Sequence, residues 1–168
     1  MSNRIIKAKS RNSTVQLLDC LSSLFALELL SPSHTLYLIS PWLSNVPLLH
    51  NSFGQFRSVA PESDRGDLSL AALLGTLAER GTKVRIICRH SSFTQEFLAR
   101  LPSTIERRYL DRMHEKGLIG DHFYLRGSMN FTYSGVNLND EHVELTTEPE
   151  QVALALAEAK ATWEGLQQ

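Results

Sequence analysis

Residues His114 to Asn130 read HEKGLIGDHFYLRGSMN, and this stretch decides how the rest of the chain is read. Arg112 to Lys116 and Leu118 to Leu125 are expected to form a hairpin around Gly117 and Gly120. On a strand, side chains two apart share a face. His114 and Lys116 therefore point one way and Glu115 the other, and Ser128 and Asn130 repeat the spacing after Gly127. An imidazole, an ammonium, a hydroxyl and an amide converge from two short stretches. That set suits a phosphodiester: Lys116 and Asn130 can hold the non-bridging oxygens and Ser128 can add a hydroxyl donor. The imidazole can attack phosphorus or pass a proton near neutral pH.

Outward from this segment, strands and helices alternate. Thr35 to Ser40 (TLYLIS), ended by Pro41 and Trp42, and Lys83 to Cys88 (KVRIIC) read as buried strands. Ile105 to Leu110 and Glu141 to Thr146 read as two more. Asn12, Ser13 and Thr14 can cap a helix carrying Val15, Leu18, Leu21, Phe25 and Leu29, stopped by Pro32. Asp67 is expected to cap a second helix with Leu70, Leu73, Leu74 and Leu77 on one face and Gly81 just past its end. Ser92 and Gln95, and again Thr147 and Glu150, have capping-box spacing. The last helix carries Val152, Leu156, Ala159, Trp163 and Leu166 on its apolar face. The class is α/β, with a mixed β-sheet flanked by helices in a single domain over 1–168. Residues 1–12 read as a basic N-terminal arm, and 43–66, with no sustained period, as a long irregular loop.

At 168 residues and a net charge of −1 the chain fits one packed domain, and a strongly basic coat protein or an acidic tail is excluded. Cys20 and Cys88 make neither a disulfide framework nor a thiolate metal site, which suits a cytoplasmic protein. No apolar stretch is long enough to span a bilayer, no signal peptide is read at the start, and no stable membrane association is expected. The neutral total hides a basic middle: residues 80–126 hold 10 basic and 5 acidic side chains. His122 beside Asp121 suggests a metal pair, but no further ligands stand at suitable spacing. No metal or cofactor is expected.

The pattern His114-x-Lys116-x4-Asp121, followed by Gly127-Ser128-x-Asn130-x-Thr132, resembles the HKD motif of the phospholipase D superfamily, metal-independent phosphodiesterases and phosphatidyl transferases. The resemblance is strongest over 111–145 and fainter over Thr35 to Trp42 and Lys83 to Cys88. It implies that His114 attacks phosphorus to form a phosphohistidine, that Lys116 and Asn130 clamp the phosphate with Ser128 beside them, and that Asp121 bonds within the motif. Glu141 sits where relatives place an acidic residue that orients the histidine. Five residues separate Asp121 from Gly127, where many relatives have six; a hairpin one residue shorter would flip the side chains beyond it unless a bulge compensates.

The family's chemistry needs two histidines, one to attack and one to protonate the leaving oxygen, and this chain has one His-x-Lys. Small relatives, such as the EDTA-resistant bacterial endonucleases, pair identical chains about a two-fold axis, so the resemblance implies a homodimer with one composite site. The basic middle, with Arg112 and Arg126 as substrate contacts and Trp42 close by, points to DNA as partner. The same arginines can instead pair with neighbouring carboxylates. The SPWLS-type stretch and the GSMNFTYSG run resemble small superfamily proteins found with bacterial DNA-modification and defence systems, whose proteins would then be partners. A catalytically silent DNA-binding module of such a complex and a phospholipid hydrolase or transferase stay open.

Overall fold

The computed structural model describes residues 3–8, 11–60, 66–138 and 140–166. Its centre is a seven-stranded mixed sheet. In chain order the elements are β1 (Asn3–Ala8), α1 (Arg11–Leu30), β2 (Thr35–Ile39), β3 (Pro47–Leu49), β4 (Leu68–Ser69), α2 (Leu70–Glu79), β5 (Lys83–Cys88), α3 (Ser92–Leu98), β6 (Glu106–Tyr109), β7 (Gly117–Ile119), β8 (Tyr124–Gly127), α4 (Tyr133–Asn137), β9 (Glu141–Thr146) and α5 (Pro149–Gly165). The sheet order is β1-β9-β8-β7-β2-β5-β6. The β2, β5 and β6 strands run parallel, and every pairing from β2 through β7, β8 and β9 to β1 is antiparallel.

Strand alternation sorts the core into two layers. On β2, Leu36 and Leu38 face a large cluster with Leu21, Phe25, Leu73 and Leu77, while Tyr37 and Ile39 face a smaller one with Ala155, Ala159 and Trp163 of α5. Leu70, Leu73, Leu74 and Leu77 are fully buried. Each contributes about 1.5–3 kcal/mol of transfer free energy, as an upper figure. Among the described residues no helix is long and apolar enough to cross a membrane.

Several expectations are corrected. The basic stretch read as an arm is largely β1, an edge strand paired along its length with β9; Lys9 lies outside the described residues, as do the side chains of Asn12, Ser13 and Thr14. The first helix buries Leu17, Cys20, Leu24 and Glu28 beside Leu21, Phe25 and Leu29, and leaves Val15 exposed. The helix α2 is capped by Ser69, whose Oγ accepts the Ala72 N–H, because Asp67 pairs with His50 instead. Ser91, one residue earlier than expected, caps α3. Glu148 precedes α5 without a side-chain cap, and Pro149 starts the helix in its place. The 43–66 segment holds β3, which pairs with β4, and Asn45 Oδ1 accepts the Ala71 N–H; residues 61–65 lie outside the described residues.

Candidate active site

The hairpin that organises the site is β7–β8, shorter than expected. Arg112 to Lys116 forms no strand, and His114 and Lys116 sit on the segment entering β7. The register is Gly117↔Arg126, Leu118↔Leu125 and Ile119↔Tyr124, with no bulge. The Gly127 N–H donates to the Lys116 carbonyl at 3.3 Å, so the Lys116 and Gly127–Ser128 positions close the open end of the hairpin together.

Two glycines hold this end in shape. Gly127 has φ 156°, and a Cβ there would lie 2.0 Å from the His142 carbonyl oxygen of β9. A Cβ on Gly135, in α4, would lie 2.2 Å from the Asn130 carbonyl oxygen. Both positions admit only glycine because backbone passes directly over them. The first seats Ser128, whose N–H donates to the His142 carbonyl (2.9 Å) and whose Oγ accepts the His142 N–H (3.0 Å) and donates to Glu141. The second fixes the loop carrying Asn130, whose side-chain oxygen is buried with no hydrogen-bond partner among the described residues.

The loop after β2 joins the same end. Ser40 Oγ accepts the Phe131 N–H (3.3 Å), Leu43 bridges Phe131, and Ser44 Oγ accepts the Tyr133 N–H (3.1 Å). This brings Trp42 beside the motif. Between them stands Arg89, just past β5. Its Nε donates to the Met113 carbonyl at 3.0 Å, Nη2 donates to the same oxygen and lies 3.5 Å from His114 Nδ1, and its guanidinium lies 5.2 Å from the centre of the Trp42 ring. Sequence reasoning placed Arg89 only within the basic stretch. Its position at the end of the KVRIIC strand, next to the strand that leads to Pro41–Trp42, was the available signal.

His114, Lys116, Ser128 and Asn130 therefore lie at one end of the sheet, with Glu141, Arg89 and Trp42. The side-chain bonds at this end are specific. The Glu141 carboxylate takes the Ser128 hydroxyl, while the His114 ring meets Arg89 and its carbonyl accepts the Lys116 ammonium at 2.6 Å. Asp121 is not brought in. It lies in the turn at the far end of β7–β8, accepting the His34 N–H at 2.8 Å and facing His34 Nδ1 at 2.7 Å. Burial pushes the Asp121 carboxyl up, but the hydrogen bonds from the His34 and Thr35 backbone and the His34 ring outweigh it, and its pKa is lowered overall.

The expected basic rim largely dissolves. Arg126 binds Glu144 through two nitrogens (2.8 and 3.0 Å). Arg85 binds the Tyr37 hydroxyl and Glu106, Arg80 caps the Leu29 carbonyl, and Arg108 caps Trp163 and Leu166 at the end of α5. These side chains are structural. Arg112, two residues before His114, is exposed. Cys88 is no nucleophile: burial pushes its thiol up to about 12 against the pull of Arg107. A hollow of about 560 Å³ lined by α2 and Arg100, Leu101 and Pro102 shares no residue with the site.

The family profile described as "Cardiolipin synthase, PLD-like domain" matches residues 48–163. No curated protein matches the sequence. Among solved structures, the fold is similar to NucT from Helicobacter pylori, with TM-score 0.66 and 16% identity over 98% of this chain and 97% of that one. It is similar to Nuc from Salmonella typhimurium, a phospholipase D family member, with TM-score 0.64 and 15% identity over 99% and 96%. TrmBL2, an archaeal chromatin protein, follows at TM-score 0.53 and 15% identity, with 99% of this chain matched to 54% of that one. With most of its length matched by the family profile, the chain belongs to the phospholipase D-like family and is, by family, a phosphodiesterase.

Proposed function

We propose that this protein is a metal-independent DNA nuclease acting through a phosphohistidine. The observation that carries the reading is the gathering of His114, Lys116, Ser128 and Asn130 at the open end of β7–β8, with Arg89 beside the histidine. In the proposed reaction, one His114 imidazole attacks phosphorus and forms the P–N bond as the P–O bond breaks. A second His114, from an identical chain across a two-fold axis, gives its proton to the leaving oxygen. It then takes a proton from the water that opens the phosphohistidine. Lys116 neutralises charge on the non-bridging oxygens, the Asn130 amide N–H₂ donates to them, and Arg112 and Trp42 contact the strand. Fold likeness to TrmBL2, a chromatin protein that binds DNA, supports DNA as the polymer bound. The SPWLS and GSMNFTYSG stretches support a place in cytoplasmic bacterial defence linked to DNA modification.

Cleavage of DNA should persist in EDTA and vanish in His114→Ala. Mixing wild type with His114→Ala should lower activity faster than the wild-type fraction. A requirement for added divalent metal, full activity in a monomer, or release of a headgroup from phosphatidyl vesicles would each overturn the reading. Comparing modified with unmodified DNA tests the defence setting.

A second reading, a silent DNA-binding module, is favoured by one contact. A guanidinium only donates, so Arg89 facing His114 Nδ1 asks for a lone pair there and leaves the proton on Nε2, so that Nε2 has no free lone pair and Nδ1 is engaged by Arg89. Salt-sensitive DNA binding without turnover would support it.

A further inference from the structure

Trp42 is 41% exposed although it stands beside the site, Phe93 is 50% exposed and Tyr133 56%. Single exposed aromatics are common on any surface. These three flank one loop. The Leu43 N–H donates to Thr94 Oγ1 (3.4 Å), bringing the first turn of α3 against one side of the loop, and the Tyr133–Ser44 bond brings the first turn of α4 to the other. Trp42 itself is held. The Arg89 guanidinium lies over its ring, and Arg89 is fixed by two donations to Met113 and by its backbone N–H on the Pro41 carbonyl (3.2 Å). No other ring or cation packs on the Trp42 ring among the described residues.

We infer that Trp42, backed by Arg89, is a stacking subsite for an unpaired nucleobase next to the scissile phosphate, and that the substrate class is single-stranded nucleic acid. The inference rests on the phosphodiesterase reading and narrows it. A flat aromatic face binds any base through its π-face. In a duplex that face is covered by the neighbouring base pairs, and withdrawing a base breaks pairing and stacking at a cost of a few kcal/mol. An unpaired strand carries no such cost. The placement also fits the charge: Arg89 reaches from the indole to within 3.5 Å of His114 Nδ1, so a base on Trp42 sets its own phosphate beside the histidine. The loss of most arginines to structural bonds agrees with this, because a duplex binder relies on many phosphate contacts and this surface keeps few.

Two measurements test it. Only two tryptophans are present, and Trp163, on α5, is buried, so quenching of intrinsic fluorescence reports on Trp42. In His114→Ala protein, an oligothymidylate should quench the signal, and an abasic strand of equal length or a duplex should not. In catalytically competent protein, the ratio of kcat/KM on single-stranded over duplex DNA should fall about tenfold in Trp42→Leu and recover in Trp42→Phe. An unchanged ratio in Trp42→Leu, or a dimer that falls apart in Trp42→Leu by sedimentation, would overturn the subsite; the latter would assign Trp42 to an interface between copies. Quenching without cleavage of either form by wild type would keep the subsite and sink the nuclease. Cleavage without quenching would do the reverse.

Discussion

At the open end of the β7–β8 hairpin, polar groups stand with unmet capacity; at its turn end, they satisfy one another. The first end holds an exposed His114 beside the Arg89 guanidinium, Lys116 and, among the described residues, an Asn130 side-chain oxygen buried without a hydrogen-bond partner. The second holds Asp121, whose N–H donates to Ser33 Oγ (2.9 Å). Ser33 in turn gives its Oγ and N–H to the two oxygens of Glu28, at 2.8 and 3.0 Å. The strands between are only a few residues long, about 10 Å. The difference teaches how one short motif serves two ends. An unpaired buried carbonyl oxygen costs about 1–3 kcal/mol and is completed only by a donor, whereas a closed cluster ties α1, β2 and the hairpin turn together.

The largest effect expected from this contrast is at the open end. Lys116→Ala should lower kcat/KM by about 10²–10³-fold with thermal stability little changed, as removal of one charge-stabilising donor does. A matched loss of stability, read by calorimetry, would make Lys116 structural and erase the contrast. Gly127→Ala should break the site by breaking the fold beneath it. A Cβ 2.0 Å from the His142 carbonyl forces β8 and β9 apart, at about 3 kcal/mol or more, measured by urea denaturation.

Asp121→Ala should do the opposite of Lys116→Ala. Losing the bonds from His34 should cost about 1–2 kcal/mol while kcat/KM per folded molecule stays within about twofold. Because the Asp121 pKa is lowered in the fold, its contribution is present above the ordinary carboxylate pKa and fades as pH falls through the lower, folded value. Denaturation at neutral and at acidic pH, compared with wild type, reads that difference. Selective loss of activity would put Asp121 back into the chemistry.

The smallest effect is at Glu28. Burial raises its pKa against the lowering bonds from Ser33, so the folded protein keeps this proton where the unfolded chain has lost it. Its contribution is full below the unfolded pKa and declines as pH rises toward the folded one. Glu28→Gln, which keeps one of the two acceptors for Ser33, should flatten stability over that window by under about 1 kcal/mol. An unchanged pH profile would show that Glu28 is ionised in the fold.

Much of the site was legible in sequence because fixed residue types at fixed spacing report local backbone. His114, Lys116, Ser128 and Asn130 stand out by motif spacing rather than by strand alternation, since both pairs lie just outside β7 and β8, and β2, β5 and β9 follow from runs of apolar and β-branched residues bounded by turn formers. Weaker signals slipped: β3 and β4 are too short to show a period, α4 is five residues long, and β1 is an exposed edge with too little burial to mark it. Its lysine and arginine read as an arm because charge on an edge strand and charge on a free segment look alike.

By itself the sequence determined the α/β order, the apolar faces and the family motif, all products of contacts within a few residues. The tertiary structure decided which polar groups found partners. Arg126 went to Glu144, Arg108 to the end of α5, Asp121 to His34 and Glu141 to Ser128, whereas Arg89 reached Trp42 and His114. Those pairings join residues from separate elements, and a charged side chain carries no local mark of the partner that folding will bring to it.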